Sequence, residues 1–343
     1  MLYSLLRPLL FRFPAEFIHN VTLNLAAQFP QTLSLGFHSP KNQLIPWFYR
    51  NQRLNPLRLP NPIILAAGLD KNAMALPFWD KLGLGAVEVG TVTPMAQPGN
   101  PGMRIFRIKD ESLLNAMGFP NLGMQQVKEN ILRFRSAYPA SFMKIGVNIG
   151  KNKTTPLDQA ISDYVKGYAY LADCADYMVI NISSPNTPGL RSLSTPEWLS
   201  ECLKDLSEVR KKIPKPLFIK LSPDVDHPKD YEFIFSLLKN FQLSGIVATN
   251  TSTQHPFAFG GISGSGVYDR SEQIRRYFLA QMPQEFPDGI MMGVGGFNDV
   301  TEAKTFWQQG GIYLQIYSAL IYQGPGIIGK FLQSFSSQHP KIG

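Results

Sequence analysis

Leu217-Phe218-Ile219-Lys220-Leu221-Ser222-Pro223 is the stretch on which the fold turns. It is a short apolar run, broken by one lysine, that ends in a hydrogen-bonding residue and a turn former. Seven more runs of this kind recur, at 62–67, 86–92, 144–149, 177–182, 245–248, 290–294 and 312–316. Strands of a parallel sheet are buried on both faces, so they read as apolar runs rather than as alternating ones. Just past the eight runs stand Gly68-Leu69-Asp70-Lys71, Thr93-Pro94, Gly150-Lys151-Asn152, Ser183-Ser184-Pro185-Asn186, Ser222-Pro223, Thr249-Asn250-Thr251, Gly295-Gly296 and Tyr317-Ser318. The pattern implies an α/β protein, a (β/α)8 TIM barrel, with its chemistry on the loops after the strands.

Composition agrees with that architecture. The 343 residues suit one barrel with insertions, and 44% hydrophobic content is enough for a large core. Cys174 and Cys202 fit neither a zinc nor a redox spacing and read as small hydrophobes in helices. The net charge is +8, but Lys and Arg are scattered apart from Arg210-Lys211-Lys212. We read them as a solvated surface, with no nucleic-acid partner expected and anionic ligands compatible. His19, His38, His227, His255 and His339 are dispersed, so no metal site is expected. Paired rim carboxylates and a Gly-x-Ser-x-Gly elbow are both missing, which argues against glycosidase and α/β-hydrolase chemistry.

Two helical patterns precede the barrel. Leu2, Leu5, Leu6, Leu9, Leu10 and Phe13 form the first, and Phe17, Ile18, Val21 and Leu25 share one face of the second. Pro8 must kink the first helix or stand in its first turn. Neither run reaches the roughly 20 apolar residues of a membrane span. Two readings stay open: a cap packed on the barrel, or helices lying in a membrane interface. Residues 31–55, rich in Pro, Asn and Ser, read as a linker.

Along the rim, Lys220 is the sharpest signal. A buried lysine is costly unless it meets an anion or a polar ligand. The alternative is a partner carboxylate on a neighbouring strand, for which Glu88 is the candidate. Lys71 after Ala66-Ala67-Gly68 offers a cation beside small residues that admit a planar ring; taken alone, the stretch reads better as an ordinary turn with a surface lysine. The loop from Asn181 to Gly189 offers two amides and three hydroxyls without charge, suited to a neutral polar ring or to a plain turn. Gly293-Val294-Gly295-Gly296 and the segment 311–318 fall where barrels often bind phosphate.

Taken in order, AAGLDK (66–71), GTVTP (90–94), NAMGF (115–119), NIGKNK (148–153), NISSPNTPGL (181–190), ATNT (248–251), GGISG (260–264), GVGG (293–296) and QIYS (315–318) resemble dihydroorotate dehydrogenases. The likeness is to the class 2, quinone-dependent, membrane-associated branch, and it covers essentially the whole chain. It implies an FMN-containing barrel that oxidises dihydroorotate to orotate in pyrimidine synthesis. It also implies a domain division into 1–45, a membrane-associating and quinone-tunnel extension, and 46–343, the barrel.

By that resemblance Ala67, Gly68, Leu69, Asp70, Lys71, Thr91, Asn148, Asn181, Lys220, Thr249, Gly264, Gly296, Tyr317 and Ser318 hold FMN. Lys71, Asn115, Ala116, Met117, Gly118, Phe119, Asn181, Asn186, Asn250 and Thr251 hold the substrate, and Ser184 is the catalytic base. His19, Arg107 and Tyr317 are the quinone-site candidates. Ala116, Pro120 and Ser265-Gly266-Val267 depart from the class 2 pattern. The expected partners are dihydroorotate or orotate, a membrane quinone and an anionic membrane surface. The chain's start lacks the character of a transit peptide, so the expected place is the cytoplasmic face of a bacterial inner membrane. A class 1-like enzyme with a soluble acceptor, another dihydropyrimidine oxidoreductase and an inert barrel are the alternatives.

Overall fold

The computed structural model describes residues 2–35 and 44–338; His38 and His339 lie outside them. The strands are β1 (Ile63–Leu65), β2 (Ala86–Val92), β3 (Ile105–Ile108), β4 (Ser112–Asn115), β5 (Lys144–Ile149) and β6 (Tyr177–Asn181). They continue as β7 (Leu217–Leu221), β8 (Gly245–Ala248), β9 (Gly261–Gly264), β10 (Ile290–Gly293) and β11 (Tyr313–Ile316). Eight of them close a parallel barrel in the order β1-β2-β5-β6-β7-β8-β10-β11. These are the eight apolar runs, with ends shifted by a residue or two. The three strands that the sequence did not reveal, β3, β4 and β9, form a separate antiparallel sheet. They are short, and their glycines and polar residues carry no clear alternation.

The helices are α1 (Leu2–Leu10), α2 (Ala15–Gln28), α3 (Pro30–Leu35), α4 (Pro46–Arg50), α5 (Leu76–Leu82), α6 (Gly123–Ala137) and α7 (Ala160–Leu171). They continue as α8 (Pro196–Arg210), α9 (Phe233–Asn240), α10 (Tyr268–Glu285), α11 (Val300–Gln308), α12 (Ser318–Gln323) and α13 (Gly326–Gln338). Their ends follow local chemistry. Thr195 caps α8 through Trp198 N, with Pro196 in the first turn. Asp299 and Glu302 form a reciprocal capping box on α11. Gly83 ends α5 in the left-handed region.

β2 is buried at all seven positions, and every residue of β6 and β7 is buried too. One apolar core runs through the barrel and its helices. Register then decides the site. Asn181 pairs across with Lys220, so two polar side chains stand on neighbouring strands. The β2–β5 ladder is irregular between Val89 and Val92, which re-aims Thr91. Gly90 there has φ +101°, and a Cβ on it would meet the Asn148 carbonyl at 2.3 Å.

Two expectations are corrected. Residues 31–55 are not a plain linker: most of α3 and all of α4 fall within them, and residues 36–43 lie outside the described ones. Aromatic burial anchors the segment, since Phe48 is fully buried and Trp47 stacks on Phe335 with centroids 5.8 Å apart. Both cysteines are buried, but Cys174 stands in the turn after α7 rather than in a helix.

Pro8 lies inside α1, near its end. The apolar face of α1 and α2 points outward: Leu5, Leu9, Phe13, Phe17, Val21, Leu25 and Phe29 are all exposed. Ala26, Leu23 and Ala27 of α2 pack on the core, and polar side chains fasten these helices further. Arg7 donates to the Tyr322 carbonyl, Arg107 to the carbonyls of Phe11 and Phe13, and Arg104 pairs with Glu16. Among the described residues no helix is long and apolar enough to cross a membrane.

Candidate active site

A cavity opens at the C-terminal ends of the barrel strands. Ile105, Leu113, Asn115, Ser263 and Gly264 line it, so the antiparallel sheet forms one of its walls. Among the residues singled out from sequence, Ala67, Gly68, Lys71, Thr91, Asn181, Lys220 and Thr249 also line it. So do Gly296, Tyr317 and Ser318, together with Met117, Gly118, Phe119, Ser184, Asn186, Asn250 and Thr251.

Other expected residues stand elsewhere. Leu69 is buried in the core. The Asp70 carboxylate is fully buried and turned to its own turn, accepting from Met74 N, Ala75 N and Trp79 Nε1. It braces the start of α5 and offers nothing to the cavity. Ala116 engages only through its backbone, with Arg104 and Asn100. Asn148 lies behind the wall. Arg107 is spent on the end of α1, with its guanidinium 4.5 Å from the Phe11 ring. His19 is half-buried on α2, and burial and the charge of Lys71 push its pKa down to about 3.

Behind the wall a single carboxylate orders the site. Glu88 is fully buried, and its Oε1 accepts from Asn148 Nδ2 at 2.8 Å and lies 3.8 Å from Lys220 Nζ. Its Oε2 accepts from Gln315 Nε2 at 2.5 Å. An ionised carboxylate only accepts, so both amides must turn their NH₂ groups toward it. Asn148 Oδ1 is then left to accept from Thr91 Oγ1, at 2.6 Å. The Thr91 oxygen accepts from Asn181 Nδ2 at 2.8 Å. Asn181 Oδ1 in turn accepts from Ser183 N at 3.2 Å and from Asn250 Nδ2 at 3.4 Å. Glu88 thereby fixes which end of each amide points where, out to the rim. Lys220 is only 4% exposed, and burial lowers its pKa against the opposing pull of Glu88.

Gln315 Oε1 and Asn298 Oδ1, on two residues that line the cavity, are buried and have no partner among the described residues. Orphan buried acceptors need a donor from a ligand or water. Burial and nearby Arg104 lower the Lys71 pKa to about 8. Burial raises that of Tyr317 to about 12, so its phenol stays protonated.

Ser184 Oγ accepts from Asn186 N at 3.3 Å. Two loops beside it are clamped by Arg191. Its Nε donates to the Ser183 carbonyl at 3.1 Å and its Nη2 to the Thr251 carbonyl at 2.9 Å, while Nη1 pairs with Asp224 at 2.7 Å. Asp224 also accepts from Ser252 Oγ and from Thr253 N. Thr187 Oγ1, three residues past Ser184 in the chain, is buried without a partner among the described residues. Sequence reasoning gave no individual role to Gln315, Arg191, Asp224 or Thr187, although Gln315 and Thr187 stand inside quoted motifs and Thr187 is one of the three hydroxyls of its loop. Gln315 carried the signal that exposed Lys220, a polar residue inside an apolar strand. Ser265, one of the departures from the class 2 pattern, accepts from Asn298 Nδ2 at 2.7 Å. The described residues hold no cluster of His, Cys, Asp and Glu suited to a metal.

Residues 50–338 match the profile of the family described as dihydroorotate dehydrogenase. Several curated relatives named dihydroorotate dehydrogenase (quinone) align over most of the chain. One from Synechococcus sp. (strain JA-2-3B'a(2-13)) is 40% identical, covering 85% of this chain and 82% of the relative. One from Idiomarina loihiensis is 37% identical, covering 95% and 98%. The crystal structure of DHODH from Eimeria tenella in complex with ferulenol superposes with a TM-score of 0.81 at 28% identity, over 94% of this chain and 91% of that one. Its ligand-free form gives 0.82 at 29% identity, over 95% of both chains. With a barrel of this order, a cavity holding most of the family motifs and a match spanning residues 50–338, the chain belongs to the dihydroorotate dehydrogenase family.

Proposed function

We propose that this protein oxidises dihydroorotate to orotate with the help of bound FMN and passes the electrons to a membrane quinone. The observation that carries the reading is one cavity in which Lys220, Ser184 and the amides of Asn115, Asn181, Asn186 and Asn250 converge. The residues fit a flavin mononucleotide. Small residues at Ala67 and Gly68 leave room for a flat ring, and the orphan acceptors of Gln315 and Asn298 can meet its donors. Gly295 and Gly296 present backbone to a phosphate. When bound, FMN supplies the acceptor for the two electrons that leave the substrate.

The chain's own groups do the rest. Asn115, Asn186, Asn250 and Thr251 satisfy the ring N–H and C=O groups of a pyrimidine, and Lys71 meets its carboxylate. Ser184 is the base at C5: its oxygen takes the C5 proton while its own hydroxyl proton passes to solvent, and the Asn186 N–H steadies the charge that develops on that oxygen. Lys220 sets a positive charge beside the electron-accepting ring.

For the second half-reaction, residues 1–45 form an extension that lies on an anionic membrane, and residues 46–343 form the barrel. The exposed apolar stripe of α1 and α2 supports that reading, because a contiguous patch of this kind marks a contact with an apolar phase. His19, Arg107 and Tyr317 line the quinone's route in this scheme, and His19 stays neutral there. The location is the cytoplasmic face of a bacterial inner membrane.

Anaerobic mixing of the yellow protein with dihydroorotate tests the proposal. The flavin absorbance bleaches and a quinone restores it. A colourless polypeptide that takes up no FMN defeats the reading. Reoxidation by fumarate or NAD⁺ with no response to quinone replaces the membrane acceptor with a soluble one.

A further inference from the structure

Arg275, on α10, heads the fully buried side chains in size among the described residues, at 1% exposure. Its Nη1 donates to the Val294 carbonyl at 2.8 Å and the Gly295 carbonyl at 2.9 Å. The guanidinium lies 4.3 Å from the centroid of the Phe297 ring. Its Nη2 has no partner among the described residues. No described carboxylate stands within ion-pair distance; Glu272 and Glu302 act on it only from farther away. Burial lowers its pKa to about 10, so it is charged at neutral pH. A buried cation without a counter-ion is costly, and such a group persists where an anion is to be met.

The loop that Arg275 grips points at one. A trans peptide sets its N–H opposite its C=O. With the carbonyls of Val294 and Gly295 drawn to the guanidinium, the N–H groups of Gly295 and Gly296 face away from it. Neither N–H has a backbone partner among the described residues. Gly295, Gly296, Phe297 and Asn298 all line the cavity. Glycine is needed here: φ is +100° and +88°, and a Cβ on Gly296 would meet Tyr268 at 2.6 Å.

We propose that Arg275 is the buried counter-charge of an anion cradle in the loop after β10, and that it makes the protein prefer a phosphorylated flavin to an unphosphorylated one. The inference rests on the cofactor reading above and deepens it. Arg275 touches no ligand; it is a positioning residue that acts through the amides of Gly295 and Gly296. A lysine cannot both reach two carbonyls and stack on Phe297, so charge alone does not replace it.

The test compares two ligands on one protein. The full chain is stripped of flavin, then titrated with FMN and with riboflavin, and binding is read as quenching of flavin fluorescence. Wild type prefers FMN. Arg275→Met lowers FMN affinity by about 10- to 100-fold, the range typical when an outer partner that orients ligating groups is lost. Riboflavin affinity stays within about two-fold, and Arg275→Lys recovers part of the FMN preference. Because both flavins are bound by the same preparation, their ratio is insensitive to the folded fraction. Arg275→Gln, which can still donate to a carbonyl, gives the same reading should the methionine variant not fold. An unchanged ratio, or a parallel loss for both flavins, overturns the proposal. A wild type that binds neither flavin defeats the cofactor reading itself, which is a different result.

Discussion

Lys220 Nζ lies 3.8 Å from Glu88 Oε1, and both side chains are almost sealed from water. The two readings of Lys220 that its strand allowed are therefore both met: it has a carboxylate beside it and it lines the cavity. The same carboxylate also holds the amides of Asn148 and Gln315. Glu88→Leu leaves a buried cation and is expected to cost about 3–5 kcal/mol of stability, read by urea unfolding. Joining Lys220→Met to it should recover a good part of that loss, whereas a simple sum of the two single losses would show that the pair is not coupled.

Ser184 should act only on the substrate half-reaction. Ser184→Ala is expected to slow anaerobic flavin reduction by about 10²–10⁴-fold, with flavin content and quinone reoxidation intact. Reduction at the wild-type rate would remove Ser184 from the chemistry.

Arg191 holds the carbonyl of Ser183 and that of Thr251, and so joins the Ser184 loop to the Thr251 loop. Arg191→Met is expected to slow flavin reduction by at least about 10-fold, since misplacement by an ångström costs up to roughly 10². In a Ser184→Ala background the same substitution should add little. Fully multiplicative losses in the double variant would mean that Arg191 works through some other group.

Lys71 sets a pH dependence. Its pKa of about 8 lies below the 10.5 of the unfolded chain, so the ammonium is present below pH 8 and lost above it. The KM for dihydroorotate should rise as pH climbs through about 8, and Lys71→Arg should flatten that limb. For folding the sign is opposite. The unfolded chain binds more protons between pH 8 and 10.5, so this group's contribution to stability grows with pH there. A KM that does not change across pH 7–9.5 would detach Lys71 from the substrate carboxylate.

The outward face of α1 and α2 should carry the membrane contact. Leu9→Asp with Phe17→Asp is expected to abolish sedimentation with vesicles containing anionic lipid and to slow turnover with a long-chain quinone. Bleaching by dihydroorotate should stay at the wild-type rate. Unaltered vesicle binding would show that the stripe is not the docking face.

What the sequence by itself determined is the barrel and most of its rim. Each strand is buried on both faces, so Leu217–Leu221 and its seven counterparts read as mainly apolar runs with few polar interruptions, and that pattern needs no tertiary knowledge. Lys220 stood out for the same reason. Glycines and asparagines in ordered motifs marked the loops that line the cavity. Tertiary structure alone decided the rest. The antiparallel sheet of β3, β4 and β9 joins segments about 150 positions apart, such as Leu113 and Ser263, and no local periodicity records that pairing. Asp70 sits in a family motif, yet its carboxylate serves the turn beside it, because orientation is not written in a residue's name. Arg191 and Arg275 looked like ordinary surface arginines. Their roles exist only where distant loops bring backbone carbonyls within reach of one guanidinium. The amide directions around Glu88 likewise follow from three dimensions, since one buried acceptor forces each donor to turn toward it.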